Sequence, residues 1–244
     1  MKIFKEILPK EQQKIYKHLR QITDLGFTLF GGTAIALQLG HRQSIDFDFF
    51  TSKNIEILKD KLINLDGIEF DARIDAGNSD NTLIYMTSNN VKLSFFGGIK
   101  FVDISKKIKT DDEILMLADL SSLLVTKLKA TCDRSEYKDY IDIYTILKQG
   151  NETQMLSNAL INFPKFFGKD FPSVNLLKNL TYFEDGDLNR LTKKEKAFLI
   201  HIVEKVDANK IIEAQRRELQ LKAIEQLKTN KTPQNSTKNT DKER

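Results

Sequence analysis

The sequence predicts an α+β chain, with a head in which a mixed sheet is flanked by helices and an all-helical second lobe behind it. Three observations predict this. Up to about residue 105, short alternating or apolar runs are interleaved with helical spacing. From about 112 to 229 the apolar residues recur almost entirely at helical spacing. Beyond that, the stretch TNKTPQNSTKNTDKER has no apolar side chain to anchor it. The expected organisation is a head over 1–110, a helical lobe over 111–229 and a disordered polar tail over 230–244.

In chain order, Ile15, Leu19 and Ile22 mark an opening amphipathic helix over about 10–23. FTLF (27–30) reads as a short strand that runs into Gly31-Gly32. TAIALQL then forms a short helix, with Thr33 as its cap. DFDFF (46–50) alternates and reads as a strand, and Ile55, Leu58, Leu62 and Ile63 mark a helix. Strands follow near 68–74, at 82–88 and at 91–96, the last two joined by a hairpin at Ser88-Asn89-Asn90. The segment 111–132 reads as two helical pieces around Asp119, a capping residue. Asp133 with Glu136 reads as a capping box opening a helix that runs to Gln149, with Gly150 as its stop. Shorter helices are expected over 151–160 and 173–180. A long one runs over 193–228, with a break near Asp207-Ala208-Asn209.

Composition excludes several classes. Of the 244 residues 40% are apolar and 30% charged, so there is ample material for a core. No apolar run approaches the roughly 18 residues of a membrane-spanning helix. MKIFKEILPKEQQ is interrupted by Lys5 and Glu6 and is no signal peptide, so a cytoplasmic protein without a membrane partner is expected. The single cysteine, Cys132, builds neither an internal disulfide nor a cysteine zinc site. The net charge is +4, and from Lys228 onward five cations face two anions. The body is thus nearly neutral, so contact with nucleic acid has to come from a local patch such as Lys100, Lys106, Lys107 and Lys109.

The chemistry concentrates in GGTAIALQLGHRQSIDFDFF, residues 31–50. Asp46 and Asp48 lie two apart on a strand and share a face, while Phe47 and Phe49 point to the other. Adjacent carboxylates repel unless a cation sits between them, and hard oxygen donors favour Mg2+ or Mn2+. The bland alternative is an edge strand with a solvated face. Gly31-Gly32 lies between strand and helix, where backbone N–H groups and a helix N-terminus hold phosphate. Arg42 and Ser44 stand between the two features as donors. His41 reads equally as a phosphate contact or a turn residue, and His201 as packing.

These residues resemble a known family. Gly32-Thr33 followed by Asp46-Phe47-Asp48 is similar to the signature of polymerase-β-like nucleotidyltransferases. The whole of 31–50 resembles their AbiEii/AbiGii toxin branch. KLKATCDRSEYKDYIDIYTIL (127–147) resembles that branch's helical Lys-x-x-Ala…Arg…Lys-Asp-x-x-Asp motif, and LLKNLTYFEDGD (176–187) is a weaker match. The resemblance implies a polymerase-β-like head, a helical lobe and a site between them. It further implies transfer of a nucleotide from a nucleoside triphosphate to an acceptor, with RNA, notably tRNA, the implied acceptor and an antitoxin the implied partner. It assigns Asp46, Asp48, Lys127 and Asp142 to catalysis, with Asp46 and Asp48 as ligands of Mg2+ or Mn2+. It assigns Gly31, Gly32, Thr33, Arg42, Ser44, Lys138 and Asp139 to nucleotide binding.

Periodicity by itself reads Lys138 and Asp142 as a solvated i, i+4 pair, away from the core stripe of Tyr140, Ile143, Tyr144 and Leu147. Lys127, Ala130 and Arg134 share one helical face. One position departs from the superfamily pattern. A third carboxylate is expected on the strand VKLSFF, and Ser94 stands there. Asp71, Asp75, Asp139 and Asp142 are the substitutes considered, and no general base is assigned. A catalytically impaired nucleotide- or partner-binding protein, or transfer to a protein or small molecule, are the alternatives.

Overall fold

Strong alternation builds the centre of the molecule, and short connections fill in around it. The computed structural model describes residues 1–74, 81–169 and 172–229. The opening helix is divided into α1 (Lys10–Ile15), one 3-10 turn (Tyr16–Leu19) and α2 (Arg20–Asp24), and Ile15, Leu19 and Ile22 are buried as its spacing predicts. β1 (Thr28–Phe30) leads directly into α3 (Gly31–Leu39), and Gly40 ends that helix in the left-handed conformation. β2 (Asp46–Phe50) follows, then α4 (Lys59–Ile63), β3 (Phe70–Ile74), β4 (Thr82–Thr87) and β5 (Lys92–Phe96). After α5 (Phe101–Ile104) the chain adds β6 (Lys107–Lys109) and β7 (Met116–Ala118).

The seven strands form one mixed sheet in the order β3-β4-β5-β2-β1-β7-β6. β2 lies near its centre, antiparallel to β1 and parallel to β5. A central strand needs its apolar side chains buried, and Phe47 and Phe49 are fully buried, stacked on each other, with Phe49 also stacked on Phe95.

The helical part comprises α6 (Leu120–Asp133), α7 (Tyr137–Leu147), α8 (Glu152–Phe167), α9 (Asn175–Asn179) and α10 (Lys193–Lys205), then α11 (Ala208–Thr229). Residues 1–206 form one compact unit, and α11 belongs to a second unit beginning at Asp207. The expected break near 207–209 is present. The tail expected over 230–244 and the carboxylate of Asp75 lie outside the described residues. No described helix is long and apolar enough to cross a membrane.

Four local expectations are corrected. Residues 116–118 are a strand, not helix, because Leu117 and Ala118 complete the sheet beside β1. Asp119 nevertheless caps the helix after it, accepting from the Ser122 amide at 2.9 Å. Asp133 ends α6, paired with Lys129 one turn back, so it opens no capping box. The α7 start is satisfied instead from far along the chain, by Asp187 accepting from the Tyr137 amide at 2.5 Å. Thr33 caps nothing, since α3 already begins at Gly31 and the Thr33 hydroxyl donates to the Asp46 carbonyl. His201 is exposed, because the packed stripe of α10 is Leu199 and Ile202.

Candidate active site

The site starts from β2 and β5. Their parallel register sets Asp46 beside Lys92 and Asp48 beside Ser94, so the four side chains share one face of the sheet. Lys92 Nζ lies 3.1 Å from Asp46 Oδ2. The Ser94 hydroxyl stands beside Asp48 and favours its charged form. Burial, and next the charge of Asp46, push the Asp48 carboxyl above its ordinary value; Lys92, Ser94 and Lys127 oppose the shift without cancelling it. The pair is therefore short of positive charge. Two hard oxygen donors in that condition suit a divalent cation. Among the described residues no cluster of three or more His, Cys, Asp or Glu is placed to hold one, so the two aspartates are the whole acidic donor set.

The glycine turn closes against this pair. Gly31 has φ +71°, and a Cβ there would stand 2.6 Å from Asp48 Oδ2. At Gly32 a Cβ would meet Arg42 Nη2 at 2.5 Å and Ser44 Oγ at 3.0 Å. Both positions thus need glycine, one for backbone conformation and both for space. The first-turn amides of α3 lie at this turn, with the positive end of the helix dipole behind them.

A second group of charges lies between α6, α7 and the turn after α3. Lys127 Nζ is 2.7 Å from Asp139 Oδ1 and 2.8 Å from Asp142 Oδ2. Arg134 Nε donates to Asp139 at 2.7 Å. Arg42 forks onto Asp142 through Nε and Nη2, both at 2.7 Å, and His41 Nε2 donates to the same carboxylate at 2.7 Å. Both aspartates are 0% exposed. Burial raises their pKa values, but the bonds from Arg134 and Lys127 to Asp139, and from His41 and Arg42 to Asp142, outweigh it and hold both well below the usual carboxylate range.

The two groups meet at a cavity of about 430 Å3. Among the described residues Asp46 and Asp48 are its only acids, facing Arg42, Lys92, Lys127, Arg134 and Lys138, with Gly31, Gly32 and Ser44 in the wall. Of the residues expected at the site, Gly31, Gly32, Arg42, Ser44, Asp46, Asp48, Lys127 and Lys138 are brought together here. Thr33, Asp139 and Asp142 are buried behind the wall and do not line it. The expected solvated Lys138–Asp142 pair does not form: Lys138 pairs with Glu136 at 2.8 Å, and Asp142 turns inward. Arg42 has its fork already engaged by Asp142.

One residue was missed, and His41, read as a phosphate contact or a turn residue, has another place. Lys92 carries the same alternation as Ser94, and the strand pairing alone would have placed it opposite Asp46. His41 points inward and is structural to the Asp142 cluster. Asp71 sits on the exposed edge strand β3, separated from β2 by β4 and β5.

The sheet, the glycine turn against paired aspartates and the surrounding cations define a nucleotidyltransferase. The chain belongs to the family of nucleotidyl transferase AbiEii toxins of type IV toxin–antitoxin systems, whose model matches residues 18–230. It is 30% identical over 191 residues to an uncharacterized protein of Aquifex aeolicus (strain VF5), covering 73% of this chain and 84% of that one. The fold is shared with MenT4, a nucleotidyltransferase toxin from Mycobacterium tuberculosis H37Rv. That likeness has a TM-score of 0.55 at 14% identity, covering 84% of this chain and 88% of the other.

Proposed function

We propose that this cytoplasmic toxin transfers a nucleotide from a nucleoside triphosphate to an RNA acceptor, tRNA being the expected one, with pyrophosphate leaving and an antitoxin opposing it. The observation that carries the reading is the Asp46–Asp48 pair facing the same cavity as the Gly31-Gly32 turn and five cationic side chains. The RNA acceptor and the antitoxin rest on the family alone.

The α3 amides and Gly32 receive phosphate oxygens, since a backbone without Cβ allows close approach. Lys138 and Lys92, both partly exposed, turn from Glu136 and Asp46 toward the charge of the departing pyrophosphate. Lys127 and Arg134 sit beside Asp48, fixed by Asp139 and Asp142, so their charges are in place before substrate arrives. Asp46 and Asp48 would hold Mg2+ or Mn2+, which supplies neutralisation of charge on the attacking and leaving oxygens. Asp142 acts as a positioning residue: it holds Arg42 over Gly32 and Lys127 beside the pair.

Purified protein incubated with Mg2+, each labelled nucleoside triphosphate and total tRNA should place label in RNA. Asp46→Ala should abolish it, and equal labelling by that variant overturns the mechanism. A second reading is favoured by Ser94, which holds the position of a third carboxylate opposite Asp48. It describes a protein that binds triphosphate with Mg2+ without turning it over, and any labelled product eliminates it.

A further inference from the structure

A second cavity, of about 300 Å3, opens beside the first and shares Gly31, Asp48, Lys127 and Arg134 with it. Its character is different. Where the first is ringed by cations, this one is walled by Phe30, Phe50, Phe101 and Phe167, with Thr126 and Ala130 of α6 opposite. The phenylalanines form a cluster around Phe101, whose ring centroid lies 5.5 Å from Phe30, 5.9 Å from Phe50 and 5.5 Å from Phe167. Aromatic walls facing small side chains across an open space of this size have the shape and apolar character of a ligand pocket. Lys129 and Asp133 stand at its rim, paired at 2.7 Å. A surface pair of that kind contributes little and yields readily to a phosphate.

Resting on the transferase reading above, we infer that this chamber seats the terminal nucleoside of a nucleic-acid acceptor, its base against Phe50 and Phe167. In an in-line displacement the attacking and leaving oxygens lie on opposite sides of the phosphorus. With the α-phosphorus at Asp48, pyrophosphate leaves into the cationic cavity beside the glycine turn. The attacking hydroxyl then approaches from the side of the aromatic chamber. Its oxygen bonds to the α-phosphorus, the bond from phosphorus to the bridging oxygen breaks and pyrophosphate takes the electron pair. The hydroxyl proton passes to water. Aromatic walls select the acceptor class: they stack a base of any sequence, whereas the hydroxyl of a protein side chain has no use for them. Lys129 meets the phosphate behind the terminal nucleoside.

Ala130→Leu narrows the chamber from α6 without replacing any residue placed around the triphosphate, and Thr126→Leu does the same from the preceding turn. Three quantities are measured for each: melting temperature, dissociation constant for each labelled triphosphate with Mg2+, and KM for total tRNA. Losing one stacked base is worth about tenfold in affinity or more. The KM for tRNA should rise by that factor while triphosphate binding stays within about twofold. Weaker triphosphate binding with unchanged KM assigns the chamber to the base of the donor and overturns the inference. Unchanged values in a folded variant overturn it too, as does label entering protein instead of RNA at wild-type rate. Should one variant melt early, the other decides. Failure of the underlying reading shows elsewhere: the unsubstituted protein would then place label in no acceptor, whether or not it binds triphosphate.

Discussion

Two pairs of aspartates lie within one compact unit and have opposite fates. Asp46 and Asp48 project from a strand, two residues apart, into an open cavity. They share one nearby lysine, Lys92, with Lys127 reaching Asp48 more weakly, and Asp48 is pushed upward by burial and by its neighbour. Asp139 and Asp142 project from a helix, three residues apart, into the interior. Each is met by two or more donors, and both are held low. Residue type is the same in all four. The ratio of positive groups to carboxylates separates an unsatisfied pair, fitted to capture a cation, from a saturated pair fitted to hold other side chains still.

The largest expected effect breaks the first pair. Asp46→Ala or Asp48→Asn removes half of the donor set and should lower nucleotide transfer by about a hundredfold or more, measured as label entering RNA. Because the change also relieves repulsion, the melting temperature should hold or rise. Breaking the second pair should invert that pattern. Asp142→Asn leaves Arg42, Lys127 and His41 with an uncharged partner in a buried place, and loss of a buried ionic partner costs about 3–5 kcal/mol. A fall in thermal stability of that order is expected, with activity lost through misplacement of Arg42 and Lys127. If Asp142→Asn melted like the wild type, the division between a working pair and a supporting pair would not stand.

How much of this was legible beforehand follows the same division. The working pair announces itself locally: a period of two, with phenylalanines at the alternate positions, fixes both face and burial, and the glycines that open α3 need no tertiary knowledge. The supporting pair does not. Nothing in Tyr137–Leu147 states that Asp142 turns inward, because its partners His41 and Arg42 lie 100 residues earlier and reach it only across the folded molecule. Lys127 was recognisable through the family motif, but its role as the link between Asp139 and Asp142 is tertiary. Thr33 illustrates a local rule losing to a long-range one, since its hydroxyl secures Asp46 in place of capping a helix. Met116–Ala118 failed for a simpler reason. A three-residue strand is too short to show alternation, and only the vacant edge of β1 makes it one.

Acid titration separates the two pairs by sign. Asp139 and Asp142 have lowered values in the folded protein, so the stability they contribute is complete above the ordinary carboxylate value of 3.8 and is lost as pH falls through their folded values. Asp48 is raised, which is a penalty at neutral pH that protonation relieves. Stability measured by denaturant should therefore hold or rise slightly as pH drops toward 4, then fall steeply below it. In Asp142→Asn the steep fall should be shallower, and in Asp48→Asn the slight rise should vanish. A uniform decline from pH 7 in all three proteins would contradict the assignment.

The smallest effect sharpens the comparison most finely, because it alters the balance of charge without touching an acid. Lys92 is the lysine paired directly with the open pair, about one-third exposed and 3.1 Å from Asp46. In the absence of a divalent ion it offsets part of the repulsion between Asp46 and Asp48, and so competes with any cation that would bind there. Lys92→Met keeps an unbranched stem at the start of β5 and removes the charge. A partly exposed pair of this kind is worth about 1 kcal/mol, so Mn2+ should bind the variant roughly fivefold more tightly, read by titration calorimetry without triphosphate. The same variant should hold triphosphate less well once the metal is saturating, since Lys92 is then free to face phosphate. The two shifts run in opposite directions, which a general loosening of the strand would not produce. If metal and triphosphate affinity fell together, Lys92 would be a structural partner of Asp46, and the open pair would resemble the closed one more than the geometry implies.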